Sequence, residues 1–304
     1  MGVNELEKPV LSDEYFHEND GTLILSESIP LVVDVANIDQ YPNEQYAMLR
    51  KDGLGASDSS IILGVNPYSN RGDLIAEKCR TFLTEEEKAV GDKTAVRKGR
   101  DLEPLIITKF QAGFQMATIK PVDMYRHKDY PWLKMNFDGV TGTPEQYIPA
   151  EIKVVTKAGE KHYEPGLAFY SDVLGFALPK EDPAQHNWSI ETKAAYYGIP
   201  PYYYTQLQQQ ILGLNAPYGY LSVLFDTTWH MYTFMIWRDE TVLNNLIVES
   251  YKVWNMIEAR RKPNWRQLAG LDSILMAPQQ STPSGKDQTI SESPLNQSLN
   301  ELKT

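Results

Sequence analysis

The spacing of apolar positions changes several times along the chain, and each change marks an element. Glu44 to Lys51 reads as a short helix that stops before Gly53. In GLGASDSSIILGVNPYSN, Gly53 and Gly55 predict a tight turn and Ser57 or Asp58 a helix cap. Ile61, Ile62 and Leu63 then face inward, and Gly64 ends the helix before the turn at Asn66-Pro67. A second helix follows from about Gly72 to Leu83, then a charged connector from Glu85 to Asp92. In AVRKGRDLEPLIITKFQAGF, Leu102, Leu105, Ile106 and Phe110 recur at helical spacing. Pro104 is expected within the first turn of that helix, which would make Glu103 a first-turn acid favoured by the helix dipole.

Strand patterns come next, over Ala117 to Tyr125 and Trp132 to Phe137, with imperfect alternation from Tyr147 to Val155. Thr156 to Ile199 is irregular and predicts a long loop or inserted lobe, with a short helix near Phe169 to Gly175. Tyr202 to Leu214 is helical, with Leu207, Ile211 and Leu214 on the apolar face and Gln206, Gln209 and Gln210 polar. Gly219 to Thr227 and Trp229 to Trp237 are aromatic, β-branched runs around a short turn, hence a hairpin. A long helix from Arg238 to Lys262 follows. This order predicts an α/β (α+β) fold, a mixed central sheet flanked by helices rather than an alternating βαβ wound sheet.

Composition sharpens the boundaries. Residues 1–43 hold nine acids and one lysine, a net charge of −8 out of −11 for the 304-residue chain. The body is therefore close to neutral, and local basic patches in it can steer an anionic ligand. We divide the chain into an acidic extension (1–43), a main domain (44–277, with the inserted segment at about 156–199) and a polar Ser/Gln/Pro-rich tail (278–304). Ile29 to Ala36 within the extension is a strand candidate. In the tail, Leu295, Leu299 and Leu302 fall on one face of a short helix, a docking segment or a passive end. The single cysteine, Cys79, excludes an internal disulfide and a multi-cysteine zinc site. The absence of a long apolar run or a signal peptide leads to the expectation of a soluble, cytoplasmic protein with no membrane partner.

The candidate chemistry lies in NFDGVTGTPEQYIPAEIKV. Asp138 precedes a glycine, and thirteen residues later comes the triplet Glu151-Ile152-Lys153. Residues two apart on a strand share a face, so Glu151 and Lys153 point the same way, and a hairpin brings Asp138 beside them. Two carboxylates make a hard-oxygen site suited to Mg²⁺ or Mn²⁺. A neighbouring ammonium can orient water and offset phosphorane charge, which suits metal-assisted phosphodiester hydrolysis. The competing reading is a surface hairpin with a cross-strand Glu/Lys pair. Upstream, a helix N-terminus beside Arg50 can hold a phosphate.

Five motifs in order extend the picture: RKDGLGASD with Arg50 and Ser57, GRDLEPL around Glu103, NFDGV, EIK, and IPPYYYTQLQQQILG around Gln206. Together they resemble the YqaJ-like viral recombinase family, the lambda-exonuclease type within the PD-(D/E)XK nucleases, over roughly Tyr46 to Trp237. The resemblance implies that Asp138, Glu151 and the Ile152 backbone carbonyl hold Mg²⁺ (Mn²⁺ substituting) and that Lys153 orients the attacking water. Glu103 would complete the metal site or support it, and Gln206 would support it from the neighbouring helix. Arg50 and Ser57 would grip a terminal 5′-phosphate. The implied activity is 5′→3′ exonuclease action on linear double-stranded DNA, leaving 3′ overhangs for a single-strand annealing protein, in a phage or prophage setting. The implied assembly is a ring trimer. Family members often follow EIK with Cys-Pro, whereas Val154-Val155-Thr156 stands here, and Lys157 is a candidate DNA contact. The alternatives are an endonuclease or end-processing relative on the same core, and a catalytically silent DNA-binding scaffold.

Overall fold

A computed structural model describes residues 28–31, 44–89, 93–121, 124–183 and 186–261. In chain order the first half contains β1 (Ser28–Leu31), α1 (Glu44–Lys51), β2 (Leu54–Gly55), a 3-10 turn (Ala56–Asp58), α2 (Ser59–Ile62), α3 (Arg71–Cys79), α4 (Glu85–Lys88) and α5 (Thr94–Phe114). Then come β3 (Thr118–Ile119), β4 (Met124–His127), β5 (Leu133–Met135), β6 (Gly139–Thr143), β7 (Gln146–Val155) and α6 (Lys157–Glu160). The last elements are β8 (Tyr170–Ser171), β9 (Gly175–Phe176), α7 (Ile190–Tyr197), α8 (Pro201–Leu214), β10 (Tyr218–Phe225), β11 (Met231–Trp237) and α9 (Glu240–Arg261).

Among the described residues the strands form two sheets. The larger runs β3-β6-β7-β10-β11-β8-β9, and the smaller β1-β4-β5-β2. In the larger sheet only β7 and β10 are parallel neighbours, so it is mixed, as the pattern predicts. Successive residues of a strand face opposite sides, and β10 shows what covers each side. A Cβ on Gly219 would meet Leu207 of α8 at 2.9 Å, so α8 lies close against that face. Tyr220, the next residue, meets Phe110 of α5 edge-on at 5.4 Å on the other.

Helix α8 serves two cores. Leu207, Ile211 and Leu214 join the main core with Phe110, Ile152, Leu221 and Phe234. Leu212 joins a second core built from Leu54, Ile62, Leu74, Leu133, Leu246 and Ile257. Gln208, Gln209 and Gln210 are buried as well. Gln209 and Gln210, two of the three glutamines that the sequence reads as polar, are therefore enclosed, and their amide N–H groups find acceptors inside the protein.

Several expectations change. The helix carrying Glu103 begins at Thr94, so Pro104 lies in its interior and Glu103 is no first-turn acid. Phe169 to Gly175 is not a helix: β8 and β9 pair there across a turn at 172–174, and Gly175, opposite Ser171, has a φ of +74°, a conformation few side chains adopt. The segment 156–199 is tied into the main sheet, because β8 pairs with β11. Asp58 does not cap α2 but accepts from Gly55 N (2.8 Å) and pairs with Lys78 (2.8 Å). The strand candidate in the acidic extension is met by β1, which pairs with β4 over Ser28–Leu31. The rest of that extension and the tail from 278, with its leucines, lie outside the described residues.

The joint between α7, α8 and α9 is polar and fully enclosed. Lys193 Nζ meets Asp239 Oδ2 at 2.6 Å, and Tyr204 Oη donates to the same oxygen at 2.8 Å. Asp239 Oδ1 accepts from Val242 N (3.2 Å) and so caps α9. Removing one member of such a pair leaves an uncompensated charge in the interior. Asp239→Ala is expected to cost about 3–5 kcal/mol in equilibrium urea unfolding. The double variant Lys193→Met/Asp239→Leu should recover much of that loss, which tests whether the stranded charge is the cause.

Candidate active site

The larger sheet ends its β6–β7 ladder at the pair Gly139 and Ala150. One residue beyond, the backbone of β6 no longer pairs, and the Asp138 carboxylate takes its place: Oδ2 accepts from Ile152 N at 3.0 Å. This is why a turn of Asp-Gly type matters here. It puts an acid at the last rung, beside the side chains that emerge from β7.

Glu151 and Lys153 share the face of β7 that α8 covers, as the period of two requires. Lys153 Nζ contacts Glu151 Oε1 directly and stands 3.6 Å from Asp138 Oδ2. Gln206 Nε2 also donates to Glu151 Oε1, and Gln210 Nε2 donates to Glu151 Oε2 at 2.6 Å. Gln210 further donates to the Asn136 carbonyl at 3.1 Å, which ties the strand entering Asp138 to the same helix. Tyr203 offers its ring to Lys153, 5.6 Å from Nζ to the centroid.

Burial governs the electrostatics. Glu151 is 1% exposed, and burial with the Asp138 charge beside it pushes its carboxyl up to about 7, against the pull of Lys153. Burial also raises the Glu103 carboxyl, and Asp138 adds to the rise. Glu103 keeps an ion pair with Lys120 at 2.5 Å. Burial alone would lower the Lys153 ammonium, but Glu151 and Asp138 overcome that and hold it well above its ordinary value. Three acids thus compete for little positive charge.

That imbalance is the test for a cation. Among the described residues no group of three or more His, Cys, Asp or Glu side chains stands close enough to hold a metal by itself. Asp138 and Glu151 nevertheless present hard carboxylate oxygens beside the Ile152 backbone, and Mg²⁺ commonly takes only one or two carboxylates and keeps several waters. The donor chemistry fits a divalent cation of that kind.

Arg50 and Ser57 are also together: Arg50 Nη2 donates to Ser57 Oγ at 3.4 Å. The end of α1 is held by three cations from distant segments. Lys134 Nζ donates to Leu49 O (2.7 Å), Lys78 Nζ to Arg50 O (3.0 Å) and Arg261 Nη2 to Lys51 O (2.8 Å). They satisfy carbonyls that a helix C-terminus leaves open and suit the negative end of its dipole. A Cβ at Gly53 would fall 2.7 Å from the Lys134 stem, so this close approach requires glycine. Lys157 stands exposed at the start of α6, just beyond β7.

Two contributors escaped the sequence reading: Gln210 and Tyr203. A signal existed for the first, since Gln206 and Gln210 are four residues apart and lie on one helix face.

Asp138, Glu151 and Lys153 thus stand together at the end of one sheet ladder, against helix α8. Residues 45–213, more than half of the chain, match the YqaJ-like viral recombinase domain, and the chain belongs to that family. Among solved structures it is similar to the alkaline exonuclease LHK-Exo from Laribacter hongkongensis (TM-score 0.51, 15% identity, covering 75% of this chain and 100% of that one). It is similar also to LHK-Exo in complex with dAMP (TM-score 0.50, 14% identity, with the same coverage). At these identities the likeness is one of fold. No curated protein sequence matches the chain. Among the described residues no helix is long and apolar enough to cross a membrane.

Gln210→Ala would strand a buried carboxylate oxygen and a backbone carbonyl at once. The expected cost is about 1–3 kcal/mol in urea unfolding. A loss within experimental error would mean that the amide does not hold Glu151.

Proposed function

We propose that this protein is a metal-dependent 5′→3′ exonuclease on linear double-stranded DNA. What carries the reading is the convergence of Asp138, Glu151 and Lys153 at one end of the β6–β7 ladder, backed by Gln206, in a chain of this family.

Asp138, Glu151 and the Ile152 carbonyl would hold Mg²⁺ or Mn²⁺, with Glu103 beside them. A divalent cation there supplies charge neutralisation at the scissile phosphate and lowers the pKa of water. Lys153, kept protonated by its two acids, orients the attacking water and faces the charge that builds on the phosphate oxygens. Gln206 and Gln210 fix the rotamer of Glu151, so its carboxylate is preorganised. Arg50 and Ser57 supply a charged and a neutral donor for a terminal 5′-phosphate, which gives the enzyme its choice of end. The reading includes 3′ overhangs as product, a single-strand annealing protein as the recipient, and a ring of like subunits around DNA. The bound dAMP of LHK-Exo supports mononucleotides as the other product.

Asp138→Ala and Glu151→Ala should each reduce Mg²⁺-dependent loss of linear duplex to background while preserving fold and DNA binding. Lys153→Ala should do the same. Closed circular DNA should survive the wild-type enzyme. Its degradation, or near wild-type rates in any of the three variants, would defeat this assignment.

Arg50→Ala is expected to slow digestion of 5′-phosphorylated duplex about tenfold or more, as for a lost hydrogen bond to a charged group. The rate on 5′-hydroxyl duplex should change far less. Equal losses on both substrates would make Arg50 a general backbone contact.

A further inference from the structure

Tyr68 is a large aromatic residue with 78% of its surface exposed, and it is held on a rigid loop. Asn66 fixes that loop: its Oδ1 accepts from Tyr68 N (2.8 Å) and Ser69 N (3.1 Å), and its Nδ2 donates to Ser60 Oγ (2.8 Å). Ser60 Oγ in turn reaches the carbonyl of Ser57 at 3.4 Å. The tyrosine thus belongs to the same small unit as the Ser57–Arg50 pair.

On its other side Tyr68 leads to the active site through rings in contact. It meets Tyr202 edge-on with centroids 6.0 Å apart, and Tyr202 meets Tyr203 at 4.5 Å. Tyr203 is the ring that faces Lys153. Tyr202 and Tyr203 lie four and three residues before Gln206, so α8 presents them on the side that serves Glu151. An isolated exposed tyrosine would need no explanation. A tyrosine whose loop is pinned by Asn66 and whose ring reaches that of Tyr203 through Tyr202 is placed to meet a strand that enters the site.

Resting on the nuclease reading above, we propose that Tyr68, braced by Tyr202, is a stacking site for an unstacked nucleobase of the DNA strand that enters the active site. Bases inside a duplex already stack on one another. An unpaired base beside the scissile phosphate has a free π-face, and an aromatic side chain receives it without regard to sequence. An end that frays easily then binds better than one that is firmly paired, because less unpairing is needed.

The test uses the full-length protein with Ca²⁺ and 5′-phosphorylated duplexes that carry 2-aminopurine at an unpaired or a paired terminal position. Wild type should quench the unpaired probe. Tyr68→Ala should abolish the quenching and weaken binding of the unpaired end roughly 5- to 100-fold, the range for one base stacked on one ring. Tyr68→Phe should restore both, because the ring and not the hydroxyl is used. The proposal is overturned if Tyr68→Ala binds the unpaired end within twofold of wild type. It is also overturned if Tyr68→Leu performs as well as Tyr68→Phe. Circular dichroism of each variant guards against unfolding. Failure of the nuclease reading looks different: wild type would leave linear duplex intact in Mg²⁺ and Mn²⁺, while the quenching in Ca²⁺ still scores the stacking.

Discussion

A buried amide N–H needs an acceptor, and α8 carries four glutamines whose Nε2 groups reach three separate parts of the fold. Gln206 and Gln210 reach Glu151, and Gln210 also reaches the Asn136 carbonyl. Gln208 accepts from Asp239 N and donates to Trp237 O. Gln209 donates to Leu54 O and Lys134 O, one on each of two strands of the smaller sheet. Each unmade bond would cost the desolvation of a polar group, so the helix is constrained in rotation and in height. The geometry of Glu151 follows from that constraint.

The second organising fact is a shortage of positive charge at the far end of β7. Glu151 and Glu103 are both raised by burial and by Asp138, while Lys153 is shared between Glu151 and Asp138. An arrangement built only for stability would replace such a group with apolar side chains. In the proposed reaction a divalent cation and the phosphodiester would use both the acids and the ammonium.

Much of this was legible in the sequence. Local periodicity located β7, the β10–β11 hairpin, α8 and α9, because each is long and strongly patterned. The shared face of Glu151 and Lys153 follows from strand geometry alone, and the Asp138 turn brings the second acid to them. Other features depend on contacts between distant segments. The β8–β9 hairpin at 170–176 is only two residues on each side, and it is held by packing of Phe176 and Tyr170 on Phe114 rather than by pattern. Pro104 was read as a helix start, yet Thr94–Phe114 runs straight past it. The burial of the α8 glutamines was not legible, because nothing local says that Gln209 meets Leu54, 155 positions away. The division of the strands into two sheets was likewise invisible, since the smaller sheet joins Ser28–Leu31 and Leu54–Gly55 to the distant Met124–His127 and Leu133–Met135.

The three cations at the end of α1 have a consequence for when the protein becomes competent. Arg261 reaches Lys51 O across 210 positions of chain, and Lys134 reaches Leu49 O across 85. During synthesis, α1 leaves the ribosome long before either partner exists. The helix turn that carries Arg50 therefore lacks the last of its three anchors until α9 has emerged. The Arg50–Ser57 pair thus gains its full support only after Asp138, Glu151 and Lys153 have all been made.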